Sequence, residues 1–90
     1  MSSKIEVPEE MRLKYIERRR NDVTECLHAL ENGDFAPLAR VGHQLKGNAS
    51  TFGYDELVDI AASMEEAALK EDRESSKAWL QQFTAYVEKM

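Results

Sequence analysis

The chain has 90 residues, a single cysteine, a formal net charge of −5 and 42% hydrophobic residues, with only four glycines and two prolines. That length makes one domain, whose core buries roughly two thirds of the surface its unfolded chain exposes, and leaves no room within it for a second catalytic or regulatory domain. The composition disfavours a turn-rich β architecture, the lone Cys26 excludes an intramolecular disulfide, and the acidic balance argues against nucleic acid as a partner.

Residues 1–7 are expected to form a flexible tail. Lys4 and Glu6 interrupt any apolar stretch there, which fits neither a signal peptide nor a membrane anchor. No other run approaches the ~20 apolar residues of a membrane span, so a cytoplasmic protein without a membrane partner is expected.

The domain proper is expected over residues 8–90. A first helix opens at Pro8, whose fixed φ and missing N–H suit a first turn, with Glu9 and Glu10 at the positive end of the helix dipole. It runs to about Glu31. Ile16, Val23, Leu27 and Leu30 form its inward stripe, with Met11 and Leu13 extending the packing at its start. Asn32-Gly33-Asp34 then stops one helix and restarts another: Gly33 suits the left-handed conformation and Asp34 suits a cap.

The second helix carries Pro37 in its first turn, where proline is tolerated, and ends near Phe52 with Gly53 as the breaker. Asp55 and Glu56 open a third helix with an apolar face of Leu57, Ile60, Ala61, Met64 and Ala68 and with Lys70 near its negative end. After a turn at Glu71-Asp72, a fourth helix spans about Arg73 to Lys89. Leu80, Phe83, Val87 and Met90 point inward, flanked by Trp79 or Tyr86. Four helices joined by connections of about two to five residues bury their stripes by lying antiparallel, so the expected fold is all-α, an up-and-down four-helix bundle.

The second helix holds the chemically interesting stretch, His43-Gln44-Leu45-Lys46-Gly47. Leu38, Val41, Leu45, Ala49 and Phe52 step by three or four and define one buried stripe. At about 100° per residue, His43 falls roughly 160° from the centre of that stripe and faces water. Lys46 and Gly47 lie about 60° and 40° to either side of it, with Ala36, Ala39 and Ser50 on the same general face. A glycine inside a helix costs about 1 kcal/mol relative to alanine, and its outward direction here suits close approach by another molecule.

These segments together resemble the histidine-containing phosphotransfer (HPt) domain of multistep phosphorelays. The likeness runs over about residues 27 to 71. It comprises Ala29-Leu30 with Gly33-Asp34-Phe35, Gly42-His43-Gln44-Leu45-Lys46-Gly47-Asn48-Ala49, Phe52-Gly53-Tyr54 with Leu57, and Met64-Glu65-Glu66-Ala67-Ala68. The resemblance implies that His43 accepts a phosphoryl group on Nε2, that Lys46 steadies the phosphate, and that Gly47 leaves room above the imidazole. Gly53 matches the glycine that ends the phosphoacceptor helix in this family. Met64, where leucine is common, and Gln44 are mild departures.

Physical chemistry supports the same roles less sharply. An exposed imidazole offers a nucleophilic nitrogen at neutral pH, and a lysine one turn away brings mobile positive charge to the equatorial oxygens of a transferring phosphoryl group. The chain has no glycine-rich nucleotide loop and no carboxylate cluster suggesting a metal site beside the histidine. A carrier is therefore expected, binding no cofactor of its own, with Mg2+ and the aspartate brought by a response-regulator receiver domain or a hybrid histidine kinase. The docking surface is expected to include Ala36, Ala39, Arg40, Gln44, Ser50 and Gly53.

The alternative is a helical module that docks a receiver or kinase without carrying phosphate. A nucleic-acid binder using Arg18-Arg19-Arg20 is disfavoured, since three consecutive helix positions fan around the circumference. Of these, Arg19 is expected to pair with a carboxylate of a neighbouring helix. His28 and Cys26 lie two apart and do not face each other as metal ligands would; His28 is expected at the surface or boundary, and Cys26 as a small core or boundary residue.

Overall fold

Apolar spacing of three and four along the chain becomes four α-helices in the structure, a computed structural model that describes residues 7–90. They are α1 (Glu9–Glu31), α2 (Ala36–Asn48), α3 (Asp55–Leu69) and α4 (Arg73–Glu88), with a 3₁₀ turn over Ala49–Phe52 between α2 and α3. Each helix packs on the next and α4 closes against α1, with α2 and α3 in the most extensive contact. Short turns between consecutive helices make the arrangement antiparallel and up-and-down. The expected tail at residues 1–7 falls, for residues 1–6, outside the described residues.

The core is built from the stripes of all four helices. Leu38, Val41 and Leu45 of α2, Leu57 and Met64 of α3, and Leu80 and Phe83 of α4 are all fully or almost fully buried. Burying a side chain of this kind contributes about 1.5–3 kcal/mol, so these seven dominate the cohesion of the bundle. Ile60 and Met90 are half-buried and pack against this core, as does Tyr86, while Trp79 stands at its exposed edge.

The helix ends follow local chemistry. Gly33 and Gly53 both adopt positive φ, +70° and +86°, which an L side chain rarely adopts. Asp34 accepts a hydrogen bond from the Ala36 N–H at 3.1 Å, one residue before the position from which a side chain usually caps. The second helix tightens into its 3₁₀ turn after Asn48 and reaches the expected stop near Phe52 in that narrower form. Asp72 caps α4, accepting from the Ser75 N–H at 3.1 Å and the Ser75 hydroxyl at 3.0 Å.

α1 departs most from expectation. Its buried face is Tyr15, Ile16, Arg19, Val23, Cys26, Ala29 and Leu30, whereas Leu27 is 46% exposed and lines a shallow groove against α4. A small thiol and two amphipathic side chains thus occupy the interface that a leucine was expected to fill. Met11 and Leu13 are also exposed, because α1 has 23 residues against 13 in α2 and its first turns run past the packed region. Arg19 pairs with Asp22 of its own helix at 2.8 Å, not with a neighbouring helix, and its guanidinium lies 4.4 Å from the centre of the Tyr15 ring. The same ring stacks on Phe52 at 4.0 Å, and its hydroxyl donates to Asn48 Oδ1 at 2.9 Å, so Tyr15 ties α1 to the end of α2.

Candidate functional site

α2 presents two opposite faces. Val41 and Leu45 are sealed in the core, and His43, two residues from each, projects outward with 72% of its side chain exposed. Lys46 follows one turn later and is also exposed. At Gly47 a Cβ would meet nothing within 4 Å, so the space beside the imidazole is open to a partner. Ala36, Gln44, Ser50 and Gly53 are exposed along this side, and Ala39 is half-buried. Arg40 is exposed too, but its guanidinium is bound to the Glu25 carboxylate of α1.

The second glycine of the motif region has the opposite environment. A Cβ on Gly42 would come within 2.6 Å of the Ala61 carbonyl oxygen and 2.9 Å of the Glu65 backbone nitrogen and Cβ, so α2 and α3 touch backbone to backbone there. That close approach carries Glu65 of α3 up beside His43. Its Oε2 lies 2.9 Å from His43 Nδ1 and its Oε1 lies 2.6 Å from Lys46 Nζ. One carboxylate thus holds both His43 and Lys46.

The charge state of Glu65 fixes the histidine tautomer. The hydrogen bond from the Lys46 ammonium, aided by that from His43, holds the Glu65 carboxyl below the usual carboxylate range against a smaller opposing effect of burial. It is ionised at neutral pH and has no proton to donate. The proton in the His43–Glu65 bond therefore sits on Nδ1, so that in the neutral imidazole the lone pair lies on Nε2. An exposed imidazole nitrogen, an ammonium one turn away and an open approach are chemically suited to meeting an electrophilic, anionic group.

Glu65 and Gly42 are the residues that sequence reasoning left without a role. A signal for Glu65 existed: it follows Ala61 by four residues and so flanks the apolar stripe of α3 by about 40°, where a half-buried charge requires a partner. Elsewhere the chemistry is quiet. Burial pushes the Cys26 thiol up to about 12, leaving it uncharged. Among the described residues no group of three or more His, Cys, Asp or Glu is placed to hold a metal ion, and no helix is long and apolar enough to cross a membrane.

Comparison with known proteins yields no match among curated proteins and none among solved structures. The family profile described as the Hpt domain matches residues 10–90, which takes in all of the bundle except its first residue, Glu9, at the start of α1. Hpt domains work in histidine phosphotransfer and interact with receiver domains and kinases of two-component systems. With that match lying over the four helices and the outward histidine described above, the chain belongs to the Hpt domain family.

Proposed function

We propose that His43 is the phosphoacceptor of a relay, exchanging a phosphoryl group with the aspartate of a receiver domain. The observation that carries this reading is the bond from Nδ1 to Glu65, which leaves Nε2 as the free nucleophile on the exposed side of the ring.

In the forward step the Nε2 lone pair attacks the phosphorus of an aspartyl phosphate. The Nε2–P bond forms as the P–O bond to the aspartate breaks, and the aspartate leaves as a carboxylate. The imidazole acquires positive charge as it attacks, and the Glu65 carboxylate already lies against the Nδ1–H that carries this charge. Lys46, held 2.6 Å from Glu65, offers its ammonium to the equatorial oxygens of the phosphoryl group. Donation to a second receiver reverses every bond change. The partner supplies the aspartate and its Mg2+; this chain supplies a nucleophile of fixed tautomer and a positive neighbour.

The docking surface in this reading is the outer face of α2: Ala36, Ala39, Arg40, Gln44 and Ser50, bordered by Gly53. Its small side chains suit a partner that must approach the imidazole closely and leave quickly. Gly47 gives the steric clearance, since nothing lies within 4 Å of the position its Cβ would take.

Incubation with a phosphorylated receiver domain and Mg2+ tests the proposal. The expected result is an acid-labile phosphate on the wild-type protein and none on His43→Gln. A label that survives the substitution overturns the assignment, and a protein that binds the receiver but never takes up phosphate is a docking module instead.

A further inference from the structure

The cations flanking His43 are both engaged, but unequally. Lys46 is bound to Glu65, whose side chain is only 13% exposed and which also holds the His43 ring. Arg40, one turn before His43, is bound to Glu25 of α1, and both side chains of that pair are about half exposed. Asp22, the other acidic residue of α1 near this pair, is engaged by Arg19. Glu25 therefore holds Arg40 through a solvated pair, of the kind that salt screens and that water readily replaces.

Resting on the reading of His43 as the acceptor, we propose that Arg40 is a second phosphate-binding residue, held on Glu25 while His43 is free and passed to the phosphoryl oxygens once Nε2 carries the group. The geometry allows the exchange. Residues three apart on a helix have Cβ atoms about 5–6 Å apart, and both side chains project to the outside of α2. The competition favours it as well. A phosphoryl group brings about two negative charges where Glu25 brings one, and the planar guanidinium matches two phosphoryl oxygens. Lys46 remains with Glu65 on one flank while Arg40 closes on the other. Glu25 is then released, so the phosphorylated protein presents an unpaired carboxylate on α1 that the free protein keeps bound to Arg40.

The test uses the full chain phosphorylated chemically with phosphoramidate and followed by phosphorus NMR. A phosphohistidine resonance in the wild type that is absent in His43→Gln establishes the acceptor; its persistence in that variant defeats the parent reading. The exchange itself is read from the pH midpoint of the phosphoryl titration in wild type and in the double variant Glu25→Gln/Arg40→Gln. A pair that stayed together is neutral toward the phosphoryl group, and deleting both members leaves the midpoint in place. An Arg40 that has moved stabilises the dianion, and deleting the pair raises the midpoint by about half a pH unit. In the wild type the Arg40 Nε–H resonance also shifts on phosphorylation. A fixed midpoint, or an Arg40 resonance that does not respond, overturns the exchange while leaving His43 as the acceptor.

Discussion

Gly42 lies against the main-chain carbonyl of Ala61, so close that a single added carbon would approach that oxygen to 2.6 Å. This contact sets the separation of α2 and α3 at the level of His43. It is therefore the structural origin of the Glu65 contact, and it separates the roles of two glycines only five positions apart.

Gly42→Ala and Gly47→Ala are expected to act in opposite directions. The first must force rigid backbone apart and should destabilise the bundle by about 1–3 kcal/mol. The second fills open space on a helix and should stabilise it by up to about 1 kcal/mol. Urea denaturation of the two variants checks this, and equal midpoints contradict it. A bulky residue at Gly47 should leave helix content unchanged and slow transfer from a phosphorylated receiver.

Glu65→Gln keeps the shape of the side chain and removes the charge that opposes Nδ1–H and Lys46. A hydrogen bond to a charged group contributes about 1.5–3 kcal/mol, so the transfer rate should fall by between about ten- and a hundredfold. Rapid-quench measurement with a phosphorylated receiver reads this directly. Circular dichroism should show the fold intact, because the pair lies at the surface of the α2–α3 seam.

Acidification should weaken the fold in part through two carboxylates. The Glu65 carboxyl is held low chiefly by Lys46, and the Asp72 carboxyl by the N–H and hydroxyl of Ser75. A native carboxyl below its unfolded value contributes stability that is present above the ordinary carboxylate range and is lost as pH falls through the lowered native value. Asp22, raised mainly by burial, works in the opposite sense. Melting temperatures of wild type and Glu65→Gln should therefore converge as pH falls from neutral through and below the ordinary carboxylate range. A constant gap contradicts the assignment of charge to Glu65.

Ser76 is fully buried in α4, and its hydroxyl has no hydrogen-bond partner among the described residues. Ser76→Ala removes an unpaired polar atom and improves helix propensity, so it should raise stability by about 1 kcal/mol. A lowered denaturation midpoint would show that the hydroxyl is paired in solution.

The fold was legible in the sequence because its signals are local. The steps of three and four in α2 and α3, the glycines at positions 33 and 53 and the acidic start at Asp55 depend only on neighbours along the chain. The same applies to the outward direction of His43, Lys46 and Gly47, which helix geometry alone dictates. Residues whose roles were not legible depend on another helix. Glu65 meets His43 only through the register of α2 on α3, and no spacing within either helix encodes that register. In α1, Tyr15 and Arg19 are buried because the ring stacks on Phe52 and the guanidinium covers the ring, while the more hydrophobic Leu27 stays half in water. A hydrophobic stripe registers apolar side chains and overlooks amphipathic ones that bury their flat surfaces.

The carboxylate that governs His43 comes from a different helix than the histidine itself. A synthetic peptide spanning only Ala36–Asn48 would contain the whole motif and yet lack that carboxylate, its ring free to place a proton on either nitrogen. The preset tautomer is thus a property of the assembled rod, and it is lost wherever the seam between those two helices parts.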